Sequence, residues 1–277
     1  MHSAQLPKRS LCYIQPCLRV SIIVINFKYR TAKLNFDLEK KIKNSRIVGG
    51  EKTPPGFGKF GVSLQSNIGR HVCGGAIISH KHLATAAHCV KGANPKHINV
   101  VVGTTNLDER GLQYDVESVH VHDLYNSTLK INDIAVITIK GLFDLEKVEV
   151  IRLDENELKD GEIVLLTGFG STRRMHALNL TVFEQDVCRY AMRNTRDVYD
   201  CMFCTFTKMG QGTCHGDSGG PLTKDNKLVG IVSWGIPCAV GFPDIHTRIS
   251  SHISWIRSII DRKVCNYCNY KKKKLYN

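Results

Sequence analysis

From Val62 onward the apolar residues come in short runs bounded by Gly, Asn, Asp or Pro. Residues 75–78, 98–103, 134–139, 163–166, 228–232 and 242–249 are such runs. They are of strand length and rich in β-branched side chains, which suit a pleated surface. No long amphipathic helix separates them, so the spacing predicts an all-β chain rather than alternating strand and helix units. One helix is expected near the end, over residues 252–262. There Ile253, Ile256, Ile259 and Ile260 make an apolar stripe, with Trp255 alongside.

Charge divides the chain more sharply than hydropathy does. The formal net charge is +13, but residues 1–46 carry +8 and residues 262–277 carry +6, leaving −1 for residues 47–261. A basic chain suggests nucleic acid as a partner. The nearly neutral middle argues against it, and the termini read as solvated segments. Three parts follow: a leader or propeptide (1–46), a single domain (47–261) and a basic, Cys-containing tail (262–277).

Eleven cysteines imply an oxidising compartment and therefore secretion. The leader does not look like a usual secretion signal. Its apolar run, residues 22–25, is shorter than the roughly 7–15 residues of such a segment. Cys265 and Cys268 have the spacing of a metal half-site but lack a second pair of ligands, so no metal and no cofactor is expected.

Three segments carry candidate chemistry. Gly216-Asp217-Ser218-Gly219-Gly220-Pro221 sets a serine among glycines. A serine hydroxyl is a weak nucleophile and needs both a base and a site for a developing oxyanion. Ala86-Ala87-His88-Cys89 supplies an imidazole. Asn132-Asp133-Ile134-Ala135 supplies a carboxylate that leads into an apolar strand, and so is expected to be buried. Each alone is weak, since a glycine-rich turn or one of twelve histidines means little. Together, in the order His, Asp, Ser, they point to nucleophilic catalysis.

These segments resemble the signatures of the trypsin–chymotrypsin family, most of all the digestive chymotrypsins of insects. The resemblance implies two six-stranded antiparallel β-barrels with the active site between them and a C-terminal helix. It implies His88 as general base, Asp133 as its orienting group and Ser218 as nucleophile, with the N–H groups of Gly216 and Ser218 as oxyanion hole. Ser233-Trp234-Gly235 would pair with the substrate backbone. Arg46-Ile47-Val48-Gly49-Gly50 resembles the family's activation site: cleavage after Arg46 would free an ammonium on Ile47 to pair with Asp217. The disulfides implied are Cys73–Cys89, Cys188–Cys204 and Cys214–Cys238, leaving Cys12, Cys17, Cys201, Cys265 and Cys268 unassigned.

In that family the residue six before the nucleophile forms the floor of the specificity pocket, and here it is Gly212. Without an acid there, and with Gly235 on the wall, the pocket should take large apolar side chains. Asp244 aligns with another wall position, as in crab collagenolytic proteases that accept apolar and basic residues alike. Thr213 and His246 are its candidate partners. The implied protein is a secreted digestive endopeptidase made as a zymogen, cutting after large hydrophobic residues. Broad, collagenase-like specificity is one alternative, and a non-catalytic homologue acting as a binding or regulatory module is another. The partners implied are protein or peptide substrates, an activating trypsin-like protease and serpins or other protease inhibitors. No nucleic acid is expected, and the chain should be a monomer. Four departures from the family stand out: a short stretch over residues 168–179, Phe169 where Trp is usual, the odd cysteine Cys201, and atypical termini, with a basic, weakly hydrophobic leader and the tail Lys271-Lys272-Lys273-Lys274.

Overall fold

The computed structural model describes residues 47–261. The segments 1–46 and 262–277, with Arg46, Cys12, Cys17, Cys265 and Cys268, lie outside the described residues. A two-residue strand β1 (Glu51–Lys52) opens the fold. Six strands then form a closed antiparallel barrel: β2 (Gly61–Ser66), β3 (His71–Ile77), β4 (His82–Thr85), β5 (Ile98–Val102), β6 (Leu112–Val121) and β7 (Ala135–Ile139). A short parallel strand, β8 (Arg152–Leu153), leads to the second barrel. That barrel comprises β9 (Ile163–Gly168), β10 (His176–Phe183), β11 (Met202–Thr205), β12 (Pro221–Lys224), β13 (Lys227–Gly235) and β14 (Asp244–Arg248). It closes through the pairing of β9 with both β10 and β12.

The apolar run of β7, broken only by the buried Thr138, has a clear cause. Ala135, Ile137 and Ile139 point into the first barrel, against Leu64, Ile77, Leu83 and Val100. Ile134 and Val136 point the other way, into a second cluster with Ala86, Leu228 and Ile231. Side chains alternate across a strand, so a strand buried on both faces is apolar at nearly every position. That second cluster joins residues of both barrels. Asp133 stands at its edge, immediately before β7.

Among the described residues there are three α-helices: α1 (Ala87–Val90), α2 (Gln185–Met192) and α3 (Ile253–Ile260). The predicted terminal helix is α3, preceded by a 3-10 turn at Ser250–His252. Its expected stripe is the face that packs: Ile253, Ile256 and Ile259 are buried in the inter-barrel cluster. Helix α2 did not stand out in the sequence, because only Cys188 and Met192 of its eight residues are buried. They pack on Val198, Met202 and Ile245. All three expected disulfides are present, and Cys201 is the one free cysteine among the described residues.

Candidate active site

Asp133 is fully buried and is held by three donors. Its Oδ1 accepts the backbone N–H of His88 at 2.8 Å, and its Oδ2 accepts His88 Nδ1–H at 2.7 Å. The third donor is the Ser233 hydroxyl, 2.6 Å from Oδ2. With Nδ1 donating, His88 Nε2 is left with a lone pair, the form a general base needs. Farther back, Thr247 donates its hydroxyl to the Asp133 carbonyl at 2.8 Å. No hydrogen bond joins His88 to Ser218 among the described residues, a contact that is often long before substrate binds.

The Ser218 loop is bound to both barrels. Its carbonyl accepts the Gly74 N–H at 2.8 Å, and Gly219 N–H donates to Val232 at 2.8 Å. Gly216 has φ +92°, and a Cβ there would lie 2.1 Å from the Gly170 carbonyl oxygen, so only glycine fits. Its own carbonyl accepts His71 Nε2–H at 2.9 Å, which leaves His71 Nδ1 to accept the Ser63 hydroxyl at 2.8 Å. Burial lowers the His71 pKa, outweighing the bond to Gly216. Sequence patterns did not point to His71, which lies 145 residues from its partner.

Ile47 and Asp217 both pack against Gly168. A Cβ on Gly168 would be 3.0 Å from Asp217 Oδ1 and 3.8 Å from Ile47 Cδ1. Ile47 is fully buried in the second barrel's core. Asp217 Oδ2 accepts the Cys214 N–H at 2.9 Å, whereas Oδ1 is buried with no hydrogen-bond partner among the described residues. Burial, with Asp244 adding to it, pushes the Asp217 pKa well up. Val48 exchanges two backbone hydrogen bonds with Gly212, at 3.1 and 3.2 Å. The segment that follows Arg46 is therefore tied to Gly212, next to Thr213.

Beside Ser218 opens a cavity of about 260 Å³, lined by Thr213, Gly216, Trp234, Gly235 and Asp244 among others. Asp244 is only 4% exposed. A Cβ on Gly212 would meet its Oδ2 at 2.5 Å, and one on Gly235 would meet its Oδ1 at 3.0 Å. The carboxyl group thus occupies the space that the two glycines leave. Oδ2 accepts the Thr213 N–H at 2.7 Å. Burial raises the Asp244 pKa to about 6, against the bonds from Thr213. Of the two candidate partners only Thr213 makes that contact. His246 turns to the Thr205 hydroxyl at 2.8 Å, and burial pushes its pKa down to about 3.

Comparison with known proteins agrees with this architecture. A family model described as Trypsin matches residues 47–256. The chain belongs to the trypsin family of serine endopeptidases. It is 37% identical over 220 residues to Chymotrypsin-2 of Vespa crabro, covering 76% of this chain and 98% of that one. It is 33% identical over 243 residues to Trypsin of Simulium vittatum, covering 82% of this chain and 95% of that one. A solved structure of neuropsin, a serine protease expressed in the limbic system of mouse brain, matches with a TM-score of 0.71 at 27% identity. The match covers 77% of this chain and 99% of neuropsin.

Two features of this protease add to the sequence reading. The short stretch after β9 is a connection strapped to residues 105–108. Arg173 pairs with Asp108 and donates to the Leu107 carbonyl, while Leu107 and Met175 N–H groups bond to Arg173 and Thr105 at 2.6 and 2.8 Å. Phe169 fills its place by packing with Val101, Leu107 and Met175, its ring 5.6 Å from that of His71. The second is Ser233. Its backbone is the part expected to meet the substrate, and its buried side chain takes a further role by donating to Asp133.

Proposed function

We propose that this trypsin-family endopeptidase is made as an inactive precursor and activated by a trypsin-like protease cutting after Arg46. In this reading Ser218 attacks the peptide carbonyl and His88 takes its proton through Nε2. Asp133 holds the ring, and the N–H groups of Gly216 and Ser218 receive the oxyanion. The new ammonium on Ile47 pairs with Asp217. The unpartnered, buried Oδ1 of Asp217 supports this, because a buried carboxylate is costly until a cation reaches it. The match to the family model begins at Ile47, the residue that such a cut exposes.

The pocket carries the specificity. Gly212 puts no acid on its floor, and the Asp244 carboxyl fills the space beside Gly212 and Gly235; the cavity of about 260 Å³ that remains favours large apolar side chains at the cleaved bond, such as Phe, Tyr or Leu. Asp244 favours a second activity toward Arg and Lys. With a pKa of about 6 it is neutral below that pH and a carboxylate above it. The disulfides fit secretion, and protein digestion is the role that the resemblance to insect chymotrypsins implies. Among the described residues no helix is long and apolar enough to cross a membrane.

The test is a set of fluorogenic peptides differing only at the cleaved residue, run on the trypsin-treated protein across a pH series. Phe and Leu peptides should exceed Arg peptides in kcat/KM. The Arg-to-Phe ratio should rise as pH passes through about 6, and Asp244→Asn should remove that rise. Equal turnover of Arg and Phe peptides would reject the apolar preference. A ratio flat with pH would reject the role of Asp244.

A further inference from the structure

Beyond the pocket, one cation stands on the strand that would receive the substrate, and two more gather at Tyr125. The Arg196 guanidinium lies over the Trp234 ring, 4.9 Å from its centroid. Lys130 Nζ donates to the Tyr125 hydroxyl at 3.4 Å, and Lys91 Nζ lies 5.1 Å from the centroid of the same ring. Lys130 is three residues before Asp133 and has φ +59°, a left-handed conformation in which a non-glycine residue is uncommon. Among the described residues no carboxylate is within ion-pair distance of Lys91, Lys130 or Arg196. Lys130 and Arg196 are close enough to repel. Burial is the first cause that lowers the Lys130 pKa, and Arg196 adds to it against the pull of Asp133.

We infer that Lys130 and Arg196 form a subsite for acidic side chains and select substrates with Asp or Glu shortly before the cleaved bond. The inference rests on the endopeptidase reading given above. If the side chain entering the pocket belongs to the residue cut after, the residues preceding it run along Ser233-Trp234-Gly235 as an added strand. They then pass the face of Trp234 on which Arg196 lies. Two half-buried cations that repel each other and have no carboxylate partner would both gain from a substrate carboxylate. A lysine there would add a third like charge. The neutral balance of residues 47–261 makes this a local feature rather than a general basicity.

The experiment uses peptides with Phe at the cleaved residue and Glu, Gln or Lys at the two or three positions before it. With the trypsin-treated protein at low salt, kcat/KM should fall in the order Glu, Gln, Lys, with Glu over Gln by about fivefold or more, the scale of one partly desolvated ion pair. High salt should shrink that ratio. The double variant Lys130→Ala, Arg196→Ala should bring it near one, and Lys130→Arg should retain it. Equal cleavage of Glu and Gln peptides, or a ratio that the double variant leaves unchanged, overturns the subsite and spares the endopeptidase reading. The same peptides, fluorescein-labelled, are titrated against Ser218→Ala. Tighter Glu binding that needs Lys130 and Arg196, with no cleavage by the unmutated protein, keeps the subsite and overturns the endopeptidase reading. Neither binding preference nor cleavage overturns both.

Discussion

Three donors converge on the Asp133 carboxylate, and two of them come from one residue, His88. The third, Ser233, lies 100 residues away on β13. The ring is therefore fixed by its backbone and its side chain at once, with Ser233 holding the carboxylate from the second barrel. Asp133→Asn should keep the fold and lower kcat by about 10³–10⁴-fold, because an amide can hold the wrong tautomer of the ring. Ser233→Ala should cost less, about tenfold or somewhat more, the worth of one hydrogen bond to a charged group. Steady-state kinetics on the purified variants check both. Equal losses from the two would mean that the Ser233 hydroxyl does more than support Asp133. His88, Asp133 and Ser218 were legible in the sequence because each sits in a short local signature. Ser233 on Asp133 and His71 on Gly216 were not, being contacts across 100 and 145 residues. Such pairs depend on which strands become neighbours, and no local pattern records that.

At the scale of elements, periodicity worked where burial was one-sided or complete. The six apolar runs fall on β3, β5, β7, β9, β13 and β14. Helix α3 was legible because its isoleucines repeat with the helical period. Helix α2 was not, because a disulfide and two buried residues hold it in place of a full apolar stripe. The chemistry also depends on α3 through packing. Ile256 is fully buried in the cluster that joins Ala86 and Ile134, the neighbours of His88 and Asp133, to Leu228 and Ile231. Ile256→Ala should lower unfolding stability by about 2–5 kcal/mol, the usual cost of such a cavity. Urea unfolding measures it, and a loss under about 1 kcal/mol would mean that the helix is not an anchor of the barrel interface.

For the molecule as a whole, the two barrels divide the work. The first supplies His88, with Asp133 at the start of its last strand. The second supplies Ser218, the pocket and the strand beside it. Neither barrel holds a complete site. The residues following Arg46 enter the second barrel, where Ile47 is buried and Val48 pairs with Gly212. Cleavage at one bond would thereby act on the Ser218 loop and on the pocket floor together. The family and the double-barrel architecture were legible from three short signatures. The docking of Val48 on Gly212 was not.

The most direct test of this account is labelling with an organofluorophosphate before and after mild trypsin treatment, with the modified residue located by mass spectrometry. The account predicts label on Ser218 only after cleavage at Arg46, and none in Arg46→Gln under the same treatment. Label on the uncleaved chain would contradict the zymogen, and no label in any state would contradict the enzyme.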